Sequence, residues 1–241
     1  MLKADDRHRV AHDVEAGGSV QILNDIATHL PNLKLETIVE TGANLGTSLS
    51  RFLHLTSARV IGFELSGSSF AKIEKKQAGV ARARVLNVAL GSKSGHAQLN
   101  DKQNTILNLS PAKTQGTDVI ELVTGDEFCQ REKIDRVSLL KIGTEGFDFH
   151  VVEGFSSMWD QQKIDIVQVG CSMNITNRKW VPFAAFFNYF SARDYHLFSL
   201  YDIAFELDGR PIIRRSNPVF ISSSVIMNNK KSNSRSAVAQ K

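Results

Sequence analysis

Between Val20 and Ala89 the chain switches repeatedly between two hydrophobic periods, and this alternation restricts its fold more than any other feature. Val20, Ile22, Leu23, Ile26, Ala27 and Leu30 recur at helical spacing, and Pro31-Asn32 ends the run. Thr37-Ile38-Val39 reads as a short buried strand; Leu45, Leu49, Phe52 and Leu53 then mark one face of a helix. Arg59–Glu64 is a second strand, Ser69–Gln77 a surface helix with Phe70 and Ile73 facing in, and Arg84–Ala89 a third strand. Helix and strand in strict alternation imply a parallel sheet with helices on both faces.

The pattern breaks and then resumes. Gly95–Asn100 and Val119–Val123 read as an inserted antiparallel pair, and the polar stretch Asp101–Asp118 between them as a loop able to lie over a pocket. Val137–Ile142 is a strongly apolar strand, Phe147–Phe155 a helix stopped by Gly154, and Ile164–Val169 another strand. Val181–Phe190 is an aromatic-rich helix. Tyr195–Tyr201 and Val219–Ile226 complete the strands, joined through Asp208-Gly209-Arg210-Pro211.

Composition sets the outer limits. The 241 residues are 42% hydrophobic and 22% charged, which suits one large α/β domain. No apolar run reaches the roughly 20 residues of a membrane span, and Met1–Ala16 lacks the features of a secretory signal. Two cysteines, Cys129 and Cys171, form no disulfide framework, so a reducing cytoplasm is expected. The net charge of +4 belongs to the end of the chain: without Lys230, Lys231, Arg235 and Lys241 the remainder has 25 basic and 25 acidic residues. A neutral body argues against a nucleic-acid partner. The expected organisation is an extension over residues 1–19, a domain over 20–227 and a disordered basic tail over 228–241. A solvated tail and a weak anchor for an acidic partner both fit that composition.

Candidate chemistry begins at Val39-Glu40-Thr41-Gly42-Ala43-Asn44-Leu45-Gly46-Thr47, between the first strand and a helix. Gly42 and Gly46 permit close backbone approach to a ligand, and the helix beginning near Asn44 presents free N–H groups. A tight turn with no ligand also needs glycine. The second strand ends in Glu64, 22 residues after Gly42, the spacing at which a carboxylate receives ribose hydroxyls; a solvated strand-end carboxylate is the plainer reading. A dinucleotide turn needs glycine where Asn44 stands. Glu40 suits the ammonium of a methionyl group and would repel a pyrophosphate, which favours S-adenosylmethionine over NAD.

These residues resemble the FkbM-type methyltransferases. The likeness rests on Val39–Gly46, Val60-Ile61-Gly62-Phe63-Glu64, Asn87-Val88-Ala89-Leu90-Gly91 and, most specifically, Leu140-Lys141-Ile142-Gly143-Thr144-Glu145-Gly146-Phe147-Asp148 followed by Gly154. It covers about residues 36–225. It implies a Rossmann-like, seven-stranded methyltransferase fold, mostly parallel with an antiparallel last strand pair. It also implies methyl transfer to a hydroxyl on a small-molecule or glycan acceptor. By position, Glu40, Gly42 and Asn44 would line the methionyl side beside Gly46, Glu64 would hold the ribose, and Asn87 and Ala89 would lie near the adenine. Two positions depart from the family pattern: its fourth-strand Asp is Gly143 here, and its fifth-strand Glu is replaced where Val169 meets Gly170.

A hydroxyl nucleophile benefits from a base. Glu145 is the first candidate and Asp148 the second, although both also suit the capping of the following helix. Lys141 fits either oxyanion stabilisation or a structural pair with Glu145. The seven histidines have no metal-ligand spacing, and no metal is expected. Cys171–Asn174 and the aromatics from Trp180 to Phe190 are open to a core role or an acceptor-lining role. The two glycines also keep open a cofactor-binding protein of this fold without catalysis.

Overall fold

The computed structural model describes residues 18–100, 105–108, 119–174, 176–177, 179–206 and 212–238. The expected extension therefore lies outside the described residues up to position 17; Gly18 and Ser19 already belong to the first helix, α1, over residues 18–29. The elements that follow are β1 (Thr37–Thr41), α2 (Thr47–Leu55), β2 (Arg59–Phe63), α3 (Gly67–Lys76), β3 (Ala83–Leu86), β4 (Ala89–Leu90), β5 (Gly95–Asn100), β6 (Thr105–Asn108) and β7 (Val119–Val123). The second half contains α4 (Gly125–Arg131), β8 (Val137–Ile142), α5 (Asp148–Glu153), α6 (Ser156–Asp160), β9 (Ile164–Val169), β10 (Cys171–Ser172), α7 (Phe183–Ser191), β11 (Tyr195–Phe205), β12 (Ile213–Ser222) and α8 (Ser223–Val238).

The main sheet runs β3-β2-β1-β8-β9-β12, parallel from β3 through β9. Strand β12 is antiparallel to both β9 and β11, the expected antiparallel close. The short β10 adds an eighth strand on β12, one more than expected. Period-two alternation sends neighbouring side chains to opposite faces. Val39, Ile61, Leu140 and Val167 pack with α4–α7. Ile38, Val60, Leu139 and Ile166 pack with α1, α2 and α3. Both faces are thereby covered, as a parallel sheet requires.

Three expectations need correction. The run Arg84–Ala89 is not one strand: the chain leaves the main sheet after Leu86, and Ala89-Leu90 joins a small sheet of order β4-β7-β5-β6. In that sheet β5 and β7 pair antiparallel as expected, but β6 also pairs there, inside the stretch read as loop. The rest of that stretch, 101–104 and 109–118, lies outside the described residues, as does the 208–211 connection. Last, β12 ends at Ser222 where a strand to Ile226 was expected, and the backbone from 223 to 238 is helical. The Ser222 hydroxyl accepts from the Val225 N–H at 3.4 Å, and the Asn229 side chain accepts from the Asn32 N–H at 3.0 Å, tying this helix to the end of α1.

Candidate active site

Parallel strands β1, β2, β8 and β9 all point their carboxyl ends at one edge, and the order of connection reverses at β1. An open α/β sheet places its ligand crevice at such a reversal. A cleft of about 270 Å³ opens there, lined by Gly42, Asn44, Glu64, Lys141, Gly143 and Glu145, with Gln168, Gly170 and Trp180 further along.

The turn after β1 and the end of β2 meet directly. The Asn44 N–H donates to Glu64 Oε2 at 2.7 Å, and the Ser66 N–H donates to Glu64 Oε1 at 2.8 Å. Glu64 is buried. Burial raises its pKa above the ordinary value of 4.5; the two backbone bonds oppose that rise, and the charge of Glu40 adds to it. Asn44 and Gly46 adopt left-handed backbone, with φ of 50° and 69°. Both glycines have a local structural reason, and of the two only Gly42 lines the cleft. A Cβ on Gly42 would overlap the carbonyl oxygen of Gly143, so this glycine lets the β1 and β8 turns touch. Gly46 caps α2, and a Cβ there would press on Ile73 Cγ2 at 3.0 Å; it does not line the cleft.

On the face shared with α1–α3, a polar row crosses the strands just inside their ends. Glu40 is in register with Lys141, and Lys141 with Gln168. Lys141 Nζ donates to Glu40 Oε1 at 2.7 Å, so the lysine pairs with Glu40, and Glu145 pairs with Lys179. Glu40 is 1% exposed, and its Oε2 has no hydrogen-bond partner among the described residues. Gln168 is 2% exposed, and its Nε2 has none either. Buried polar atoms are nearly always paired; of these two residues Gln168 lines the cleft, whereas Glu40 does not and lies behind Lys141, which does.

The turn after β8 separates the two proposed acids. Asp148 is fully buried; its Oδ1 accepts from the Thr144 N–H at 3.1 Å and its Oδ2 from the Gly146 N–H at 2.8 Å. Burial raises its pKa, opposed by those backbone bonds. Asp148 therefore braces the turn and is not among the residues lining the cleft; it opens α5, whose N-cap Phe147 makes no side-chain capping bond. Glu145 sits at a φ of 52°, lines the cleft and pairs with Lys179 at 3.0 Å, with more than half of each side chain exposed.

The remaining candidates fall elsewhere. Asn87 donates to the carbonyls of Glu64 and Leu65 at 2.8 and 3.0 Å, fastening β3 to the end of β2, and Ala89 is buried in the small sheet. Neither lines the cleft. Cys129 and Cys171 are buried thiols, their pKa values pushed up to about 12 and about 11 by desolvation. Of the aromatic run, Phe186 and Phe190 are core residues, while Trp180 lines the cleft. Sequence reading missed Gln168 and the residues Asp202, Arg215 and Asn217, which β11 and β12 bring to the same cleft. Gln168 had a faint signal, as a polar residue near the end of an apolar strand.

The family description "Methyltransferase FkbM domain" matches residues 40–197, well over half of the sequence. This chain belongs to the FkbM methyltransferase-domain family. The hexuronic acid methyltransferase AglP of Haloferax volcanii is 22% identical over 135 residues, 56% of either protein, so the chain spans little more than half of that relative's length. Among solved structures, the magnesium protoporphyrin IX methyltransferase ChlM of Synechocystis PCC 6803, with bound S-adenosylhomocysteine, superposes with a TM-score of 0.53 at 8% identity, covering 92% of this chain and 89% of that one. An S-adenosylmethionine-dependent methyltransferase from Clostridium acetobutylicum gives 0.50 at 6% identity, covering 87% and 92%. These likenesses establish a Rossmann-like methyltransferase fold. Among the described residues no helix is long and apolar enough to cross a membrane.

Proposed function

We propose that this FkbM-family chain is an S-adenosylmethionine-dependent O-methyltransferase acting on a hydroxyl of a sugar or a sugar-like small molecule. The observation that carries the reading is the 2.7 Å bond from the Asn44 N–H to Glu64, which locks the glycine turn to the second-strand carboxylate at the sheet's reversal point. The residues fit the cofactor: Glu40 Oε2, which has no partner among the described residues, can accept from the ammonium, and Glu64 keeps lone pairs for ribose hydroxyls. AglP is named for methylating a hexuronic acid, which supports a sugar acceptor.

When bound, S-adenosylmethionine supplies an electrophilic sulfonium methyl. The chain's own task is alignment and proton removal. Lys141 fixes the Glu40 carboxylate through its 2.7 Å bond. Glu145, at the cleft and accessible, is positioned to take the acceptor hydroxyl's proton, and Lys179 orients it. Titration calorimetry with S-adenosylmethionine, S-adenosylhomocysteine and NAD tests the cofactor assignment. Glu64→Ala is expected to weaken binding of the first two by at least about tenfold, because charged hydrogen bonds are lost. Tight NAD binding, or unchanged affinity in the variant, would overturn it. Mass-spectrometric detection of methyl transfer over a panel of hydroxylated acceptors tests the reaction.

One observation favours a second reading, a cofactor-binding protein without turnover. Gly143 lacks the family's carboxylate although a Cβ there would meet only Thr41 O, at 3.8 Å. The space for a side chain exists and is unused. Turnover that appears only in Gly143→Asp would establish that reading.

A further inference from the structure

Beyond the polar row, the β9–β12 end of the cleft has the makings of a second subsite. Gly170 takes the place of the family's fifth-strand carboxylate, and a Cβ on it would meet Trp180 Cζ3 at 2.8 Å. The indole thus occupies the room that a side chain at 170 would need. Trp180 lines the cleft, with the Arg215 guanidinium 5.8 Å and Lys179 Nζ 5.9 Å from its ring centre. Asn217 donates to Asp202 at 2.7 Å along the same wall. Next to this wall is Gln168, buried to 2%, lining the cleft with an amide nitrogen that has no partner among the described residues.

The geometry points to Trp180 and Gln168 as the acceptor subsite, shaped for a six-membered, polyhydroxylated ring. A sugar ring has an apolar C–H face and a rim of hydroxyls. An indole offers a broad apolar surface for the face, and the Gln168 amide, Asn217 and Asp202 offer donors and acceptors for the rim. A buried donor that has no partner among the described residues discriminates strongly for a ligand oxygen that fills its need. Cleft-lining charges of both signs, Lys141 and Arg215 against Glu64, Glu145 and Asp202, do not select an anion, so hydroxyl recognition is the shared chemistry of neutral and acidic sugars. Gln168 is a specificity residue here, distinct from the proton-accepting role proposed for Glu145.

This assignment rests on the methyltransferase reading, and one set of titrations separates the two. The chain has two tryptophans, and Trp159 is fully buried in the core, so a ligand-induced change in indole fluorescence reports Trp180. The full chain, with and without saturating S-adenosylhomocysteine, is titrated with methyl β-D-glucopyranoside and with D-glucuronate. At least one sugar should give a saturable change. Trp180→Phe should keep binding by calorimetry while losing the optical signal, and Trp180→Ala should weaken binding roughly tenfold. Gln168→Leu should weaken sugar binding about three- to tenfold and leave S-adenosylhomocysteine affinity within about twofold. No saturable change with either sugar, or an unaltered sugar affinity in Gln168→Leu, overturns the subsite. Failure of S-adenosylhomocysteine to bind overturns the cofactor reading instead, and the sugar titrations of the ligand-free chain still decide the subsite.

Discussion

On the β1–β2 side of the cleft, Glu64 takes one backbone N–H on each oxygen, from turns that are its neighbours in the sheet. On the β8–β9 side, Gln168 has a side-chain nitrogen with no partner among the described residues, two glycines stand where the family carries acids, and the wall comes from Trp180, Asp202, Arg215 and Asn217. The Glu64 carboxylate is held at both oxygens by backbone before any ligand arrives. Across the cleft the polar groups are side chains on separate elements, and Gln168 Nε2 has no partner among the described residues. A site that keeps one substrate constant and varies the other would divide in this way: rigid backbone bonds where the ligand is fixed, exchangeable side chains where it changes.

The contrast is sharpest at two glycines that touch. Gly42 has a φ of 72°, and its Cβ would strike the Gly143 carbonyl; Gly143 itself has room, with Thr41 O at 3.8 Å. Gly42→Ala should cost roughly 3 kcal/mol or more, from left-handed strain plus the clash. Gly143→Ala should stay within about 1 kcal/mol. Urea denaturation of both variants checks the pair, and equal losses would show that the two turns share one constraint.

Asp148 comes next. Asp148→Ala leaves the Thr144 and Gly146 N–H groups without their acceptor, and a loss of about 2–3 kcal/mol is expected in the same assay. S-adenosylhomocysteine affinity of the folded protein should change little. A variant of unaltered stability that loses turnover would restore Asp148 as a base.

A smaller effect separates the halves by pH. Burial raises the folded-state pKa of Glu64 above 4.5, so the native chain holds this proton more tightly than the unfolded chain does. Its contribution to stability is complete below 4.5 and is lost as pH climbs through the folded value. Ribose hydroxyls donate to the ionised form, so cofactor affinity should rise over that same window as Glu64 ionises. The check is the pH dependence of S-adenosylhomocysteine binding in wild type against Glu64→Gln. A slope of the same size in both would remove Glu64 from the ligand.

How far sequence could reach follows the same division. The Glu40–Gly46 turn and Glu64 were legible because strand, turn and helix are contiguous, and one short spacing links them. The strand ends were less so. Arg84–Ala89 reads as one apolar run, yet Asn87 bonds the Glu64 and Leu65 carbonyls and turns the chain out of the sheet. Val219–Ile226 conceals a helix start at three consecutive serines, Ser222–Ser224, a capping signal that apolar counting overrode. The acceptor wall had no local signature, since its residues lie on separate elements and meet only through the antiparallel return of β12 along β9.

The smallest structural effect carries the largest chemical one. Glu145 lies three positions before Asp148 but faces the cleft, and its pair with Lys179 is exposed at both ends. Exposed pairs contribute about 0–1 kcal/mol, so Glu145→Gln should unfold within about 0.5 kcal/mol of wild type. If Glu145 removes the acceptor proton, turnover should fall by about 10²–10⁴-fold, the usual worth of a positioned base. S-adenosylhomocysteine affinity should hold, because Glu145 is not among the residues that bond Glu64 or Glu40. Asp148→Ala and Glu145→Gln would then show opposite behaviour across a single turn, one losing stability and the other losing chemistry. Full turnover in Glu145→Gln would mean that alignment over the β8–β9 side of the cleft suffices without a side-chain base, and the weight of catalysis would shift to Gln168 and Trp180.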